Sequence, residues 1–374
     1  MSEKVLVIGG GIAGFSTAIG LHQRGIDVEI VELHKQWQVY HVGIIVQSNF
    51  IRALAQLGVG DKAVQAGYPY KGWRFLKNDD GKELARDEGV SSIGEEYPAD
   101  LGLARPALHD VLFNKVSELN IPLRQGVTFT SFKQTNDHVV VEFTDGTQGT
   151  YDIVVAADGA YSKVREELFA GKYKPEFFGQ GVWRYNLKRP KDLEWAEGYI
   201  TDPTRSIGTV PLTEEEMYIF VCCCEPGNPY FPPETLAEEM RKRLTGYGPI
   251  IDSFAEQITD PSLVVYRPLE VCIVPKPWYK GRVVLIGDAA HSATPHLGQG
   301  AAMAVEDAVV LAEELDSPAS MEQRLERFME RRFDRAKYIA TQSMQLGQWM
   351  IDLDSNANPI GVYQEVRKKI AEPI

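Results

Sequence analysis

Between residues 4 and 8 the chain reads KVLVI, and the four apolar residues run straight into glycine. Apolarity without alternation predicts a strand covered on both faces, as in a parallel sheet. Helical spacing follows over residues 12–24, Gly25 ends it, and VEIVE at 28–32 predicts a second strand that completes a βαβ unit. The same buried pattern returns at 151–157 (YDIVVAA) and 282–286 (RVVLI), each ending in a Gly/Asp turn that opens helical text. These runs predict one sheet. From 179 to 268 the text changes to alternating, aromatic-rich runs such as VWRYNL and MYIFVCCC, broken by EPGNPYFPP, which predicts a separate, mostly antiparallel sheet. Along VWRYNL the two-residue period sets Trp183 and Tyr185 on one face and Arg184 on the other. After 318 the spacing is helical and highly charged, with Leu325, Phe328 and Phe333 on one face of a solvated C-terminal cover.

The fold class is therefore α/β, a Rossmann-like domain with an inserted, mostly antiparallel β-sheet domain and a C-terminal helical segment. Residues 1–70, 98–178 and 269–317 make up the discontinuous first domain, 71–97 and 179–268 the sheet domain, and 318–374 the helical segment. A chain of 374 residues exceeds what one core usually serves, which agrees with this division. A net charge of −13 leaves no basic stripe for phosphodiester backbones, so nucleic acid is excluded as a partner. Cys222, Cys223, Cys224 and Cys272 have neither a disulfide nor a metal-ligand spacing, and no HExxH occurs. A metal-free site in a reducing cytoplasm is expected, with the cysteine triplet packed in a strand. No apolar run approaches the length of a membrane span, and the amino terminus reads as the first strand rather than a leader.

Gly9, Gly11 and Gly14 form GxGxxG directly after a strand, and Glu32 ends the next one. The first glycine allows a tight turn, the second lets a diphosphate approach backbone, the third lets helix and strand pack closely, and the acid can bind a ribose hydroxyl. Ile12 and Ala13 complete the turn, while Leu33 beside Glu32, and Val127, join the candidate cofactor contacts. Gly58-Val59-Gly60 and Gly246-Tyr247-Gly248 lack the strand context and are expected as loops. The fingerprint alone does not separate FAD from NAD. Two later turns do: Asp158-Gly159, with Ser162 and Arg165 after it, and Gly287-Asp288. A second strand-end aspartate suits the ribityl chain of the longer nucleotide. Beyond it Pro295, Gly298, Gln299, Gly300 and Ala301 bring backbone and a helix start close to a flat ligand, where the positive helix end stabilises the negative edge of a reduced flavin.

Taken together with Arg105 in LARPALHDVL, these motifs resemble the single-component FAD-dependent aromatic hydroxylases, the class A group of para-hydroxybenzoate, salicylate and urate hydroxylases. The resemblance spans nearly the whole chain. It implies that Arg105 and Asp288 hold the diphosphate and ribityl region, that Gly298 and Gly300 border the isoalloxazine, and that Asp158 and Gly159 serve both FAD and a visiting NADH or NADPH. It also implies the chemistry: hydride transfer to FAD, reaction with O2 to a C4a-hydroperoxide, and hydroxylation of a small aromatic or heteroaromatic substrate. Candidate substrate-side residues are Tyr218, Arg184, Arg205, His41 and Pro295. Each has a plain alternative: core tyrosine for Tyr218, salt-bridge arginine for Arg184 and Arg205, loop histidine for His41. HVGIIVQSNFIRAL departs from the glycine-rich entry followed by Pro-Asn of many relatives, so the mobile-flavin loop has its own shape here. Competing readings are a halogenase, epoxidase or reductase of the same fold, an NAD-dependent dehydrogenase that leaves Arg105 and Asp288 without roles, and a nucleotide-binding regulator. No WxWxIP stretch of the halogenase kind is present. The sequence leaves monomer and homodimer both open.

Overall fold

A computed structural model describes residues 3–78 and 80–374 of the chain; Met1, Ser2 and Asp79 lie outside the described residues. Lys4–Ile8 stands inside a six-stranded sheet, in the order Tyr279–Lys280, Val283–Leu285, Ile153–Ala156, Lys4–Ile8, Asp27–Glu32, Leu123–Gln125. Every neighbouring pair is parallel except the first. The unbroken apolar text has a direct cause: Val5, Leu6 and Val7 are fully buried, so neither face of this strand meets water. Helix Ile12–His22 packs on helix Gly300–Leu315, and a Cβ on Gly20 would come within 3.1 Å of the Ala312 methyl, so the two helices cross closely.

The second large sheet has seven strands, in the order Val265–Ile273, Glu176–Lys188, Glu216–Cys224, Arg205–Pro211, Ala196–Tyr199, Gly72–Leu76, Glu83–Glu88. It is antiparallel apart from the pairing of Ala196–Tyr199 with Gly72–Leu76. Trp183, Tyr185, Ile219 and Val221 point to one face and are covered by Met240, Leu244 and Ile251 of two short helices. Arg184, Tyr218, Phe220 and Cys222 belong to the other face, which is turned towards the parallel sheet. The two-residue period thus divides this strand as the sequence predicts.

Two three-stranded sheets were not assigned from the sequence. One joins Phe129–Gln134, Val139–Phe143 and Gln148–Tyr151; the other joins Gly43–Gln47, Asp100–Ala104 and Tyr68–Pro69. The latter sits against the seven-stranded sheet so tightly that a Cβ on Gly102 would lie 1.7 Å from the Pro211 carbonyl oxygen. Gly246 to Gly248 form the expected loop, but Gly60 opens helix Gly60–Gln65 once Gly58, at φ +67°, has turned the chain. No helix among the described residues is long and apolar enough to cross a membrane.

The C-terminal text folds into helices Met321–Asp352 and Pro359–Ala371, the first closed by a capping box of Ser320 and Gln323. Leu325 and Phe328 are buried and Phe333 half-buried, but the helix is not a solvated charged cover throughout. Arg332 and Arg335 are buried, because Glu306 and Asp307 meet them from inside helix Gly300–Leu315. Arg332 Nη1 donates to Glu306 Oε2 at 2.6 Å and its Nε to Asp307 Oδ1 at 2.8 Å, while Arg335 holds Glu306 through Nε and Nη2, both at 2.9 Å. Asp307 Oδ2 also accepts from the Gly287 amide at 2.9 Å and contacts His291 Nε2 at 2.6 Å. One buried ionic knot therefore fixes the Gly287 turn, the helix start after it and the C-terminal helix.

Candidate active site

Three of the loops that carry the motifs leave the carboxyl ends of adjacent parallel strands, Val283–Leu285, Ile153–Ala156 and Lys4–Ile8, which is where open α/β sheets bind ligands. Gly9 has φ +110°, and a Cβ there would stand 2.4 Å from the Ala157 carbonyl oxygen; on Gly14 it would stand 1.9 Å from the Gly9 carbonyl oxygen. The protein's own packing demands both glycines. Gly11 differs, since nothing lies within 4 Å of its would-be Cβ, at the N-terminus of helix Ile12–His22. Open space at a helix start suits a diphosphate. Ile12 and Ala13 follow, half-buried.

Glu32 is held by two amides, Gly10 N donating to Oε2 and His34 N to Oε1, each at 2.8 Å. Leu33 beside it is exposed, and the Val127 amide donates to the Glu32 carbonyl at 3.0 Å. Asp158 Oδ2 caps helix Lys163–Leu168 by accepting from the amides of Lys163 (2.8 Å) and Val164 (3.1 Å). Its Oδ1 is buried with no hydrogen-bond partner among the described residues, and burial raises the carboxyl above its ordinary range despite these bonds. Gly159 follows at φ +80°. Arg165 staples the neighbouring turns together, donating to the carbonyls of Ala160 (2.7 Å) and Ala289 (3.0 Å).

Gly287, at φ +56°, turns the chain into the short helix Asp288–His291, where the exposed Asp288 carboxylate makes no hydrogen bond or ion pair with the described residues. Arg105, the first residue of helix Arg105–Glu118, likewise has no such partner. Its guanidinium is pushed down to about 10 by burial and by the nearby charge of Arg184, with Tyr218 and Asp288 acting in the opposite sense. A half-buried cation left unpaired among the described residues suits an anion from outside the chain. Gly298, at φ +65°, abuts Ile45, Gln299 is fixed by its Nε2 bond to Gln47 Oε1 at 2.9 Å, and Gly300 opens on free space ahead of half-buried Ala301.

Beside this groove lies a cavity of about 360 Å³, bounded by Pro295 to Leu297, the inner face of the seven-stranded sheet and both C-terminal helices. Its walls are mainly apolar: Ile45, Trp73, Phe75, Phe220, Leu346, Trp349, Met350 and Tyr363. Cys222 also lines it as a neutral thiol, since burial pushes its pKa up to about 12. The arginine on the wall, Arg205, is already engaged: Nε donates to Asp202 Oδ2 at 3.0 Å and Nη1 to the Arg243 carbonyl at 2.9 Å.

A family profile described as an FAD binding domain matches residues 2–343. The aurachin C monooxygenase/isomerase of Stigmatella aurantiaca is 31% identical over 355 residues, 92% of this chain and 90% of that protein. The chain belongs to the FAD-dependent monooxygenases. Within them, the 2-heptyl-3-hydroxy-4(1H)-quinolone synthase of Pseudomonas aeruginosa is 33% identical over 356 residues, again 92% of this chain and 90% of that one. The fold is also that of HpxO of Klebsiella pneumoniae, solved with FAD and uric acid, at a TM-score of 0.86 and 23% identity over 99% of this chain and 97% of that one.

In this monooxygenase the substrate-side candidates are dispersed. Pro295 and Arg205 line the large cavity, whereas Tyr218 and Arg184 do not. Tyr218 is buried over Gly43, where a Cβ would stand 2.1 Å from its ring, and burial keeps its phenol protonated, although Arg184 and Arg105 pull the other way. Exposed His41 lines a second, smaller cavity with Tyr40 and Leu263. Sequence reasoning missed His296 and the aromatic wall from the C-terminal helices. For His296 the available signal was an imidazole inside the glycine-rich PHLGQG segment; Trp349 and Tyr363 carried none, because tertiary packing alone brings them to the cavity.

Proposed function

We propose that the protein holds FAD along the groove, takes reducing equivalents from NADH or NADPH, and hydroxylates a neutral heteroaromatic ring that bears an apolar substituent, of the 4-quinolone kind. The cavity carries the substrate reading. It has the size of a small-ligand site, its wall is apolar on several sides, and its arginine is spent on Asp202 and backbone. A ring carboxylate would enter without a countercharge and meet Asp202 and Asp354, at a cost in desolvation that a neutral ring avoids. The quinolone synthase at 33% identity supports the same class, since the product in its name is a hydroxylated quinolone with a heptyl tail.

Bound FAD supplies the redox chemistry, passing two electrons from the nicotinamide to O2 so that one oxygen atom enters the ring and the other leaves as water. The chain's own groups do the rest. Gly11 with its helix start, and Arg105, receive the diphosphate; Glu32 serves the adenosine ribose, and Asp158 and Asp288 the sugar and ribityl hydroxyls. With FAD bound, the positive end of helix Gly300–Leu315 would stabilise the flavin's electron-rich edge, and the apolar wall would keep water from the reacting atoms. The parallel-sheet segments thus serve the nucleotide, and the seven-stranded sheet with the C-terminal helices serves the substrate.

Asp288→Ala is expected to weaken FAD binding by about tenfold, the loss of a charge-assisted hydrogen bond. Its fold should be unchanged, because the side chain is exposed and has no partner among the described residues. The 450 nm to 280 nm absorbance ratio after gel filtration measures this, and wild-type occupancy would remove Asp288 from the site. For the reaction, NADH and NADPH oxidation is followed with 2-heptyl-4(1H)-quinolone, uric acid and salicylate, with peroxide measured to detect uncoupling. Acceleration and product formation are expected with the quinolone; stimulation by salicylate or urate instead would overturn the substrate class.

A further inference from the structure

His296 lies on the cavity wall, yet both ring nitrogens are buried without a hydrogen-bond partner among the described residues. Folded proteins seldom leave buried polar atoms unused. A second orphan lies beside it. A Cβ on Gly347 would stand 2.5 Å from Gln180 Oε1 and 2.8 Å from His296 Cε1, so amide and imidazole converge beneath helix Met321–Asp352. Gln180 Oε1 also lacks a partner, and its Nε2 faces Met350 Sδ at 3.6 Å. A half-turn of the imidazole about Cβ–Cγ exchanges Cε1 with Nε2 and Cδ2 with Nδ1. Nε2–H then takes the place of Cε1, on the side where Gln180 Oε1 lies, and Nδ1 takes the place of Cδ2. Burial holds the imidazole far below the usual histidine range, at about 4, so near neutral pH one nitrogen donates and the other accepts. With the donor committed to Gln180, an acceptor is left over.

Building on the reading of a neutral, alkylated ring, we propose that His296 accepts a hydrogen bond from the ring N–H of the bound substrate, and that Gln180 fixes its tautomer. An N–H directed at an acceptor leaves more electron density on its nitrogen and on the conjugated ring carbon, the position an electrophilic oxygen attacks. The bond also supplies orientation, which the apolar wall cannot.

The test measures equilibrium binding to the oxidised holoenzyme through the perturbation of flavin absorbance. The probes are 2-heptyl-4(1H)-quinolone, whose one donor is its N–H, and the N-methyl derivative. Wild-type protein is expected to prefer the N–H compound by about tenfold or more. H296F should bind both equally and weakly while melting at or above the wild-type temperature, because a phenyl ring removes two unpartnered nitrogens from an apolar place. H296Q should restore part of the preference, and Q180M should reduce it without abolishing it. H296M carries the same expectation as H296F and decides the matter if H296F does not retain FAD. Equal binding of both probes by wild type, or an undiminished preference in H296F or H296M, overturns this proposal alone. Wild-type protein that binds neither quinolone overturns the substrate reading and this proposal with it.

Discussion

Gly14→Ala is expected to yield a protein that is destabilised by about 3 kcal/mol or more and is purified without flavin. The added methyl would stand 1.9 Å from the Gly9 carbonyl oxygen and 3.3 Å from Val7 Cγ1. Neither neighbour can yield: one is backbone in the turn, the other a fully buried strand residue. Helix Ile12–His22 must therefore lift off the sheet, taking with it the backbone proposed to receive the diphosphate. Gly11→Ala is the control. Its Cβ meets nothing within 4 Å and its backbone is extended, at φ −83°, so the fold should lose no more than about 1 kcal/mol, the cost of alanine at a helix N-cap. FAD affinity should nevertheless fall about tenfold or more, because the methyl occupies the space open to the nucleotide. Thermal melting of the apoprotein and FAD titration separate the two effects. Equal stability of wild type and Gly14→Ala, or unchanged FAD affinity in Gly11→Ala, would contradict this account of the glycine turn.

Arg332→Met should be the other severe substitution, at about 3–5 kcal/mol, since it leaves Glu306 and Asp307 buried with one partner fewer. The flavin side should feel it as well, because Asp307 also positions the Gly287 amide. The loss has a defined pH dependence. Burial alone would raise both carboxyls, but Arg332 and Arg335 around Glu306, and His291 and Arg332 around Asp307, outweigh it and hold both below their ordinary range. Carboxyls depressed in the folded state contribute stability above their unfolded pKa of about 4, and that stability is lost as pH falls through the folded values. In the variant this depression weakens and burial counts for more. The gap between wild type and Arg332→Met in urea denaturation should therefore hold from about pH 7 to about pH 5 and narrow as pH falls below about 4; a gap constant through that range would show that the knot contributes packing rather than charge.

The parallel sheet was legible because its signal is local: an apolar run, a glycine turn and a helix lie within the first 32 residues. Alternation along VWRYNL was legible for the same reason. The charged C-terminal helix misled, because spacing does not reveal which charges find partners. Its sign was elsewhere, in the Glu306-Asp307 pair inside the otherwise apolar AAMAVEDAVVLA. Gly43–Gln47 and Asp100–Ala104 pair across more than fifty residues of chain, so neither announces itself. The cavity was the least legible part, for its wall draws single side chains from Trp73, Phe220, His296, Trp349 and Tyr363, which share no motif.

The last wall of that cavity comes from helices that belong to neither large sheet. Arg367 clasps one of them to Asp100 through two bonds of 2.8 Å, and Arg52 holds its end by the carbonyls of Ile370 and Glu372. Substitutions at Trp349, Met350 or Tyr363 can therefore reshape the cavity while the glycine turns of the parallel sheet stay as they are. Such an arrangement lets a lineage acquire new appetites by remodelling an outer partition, with no need to rebuild the engine behind it.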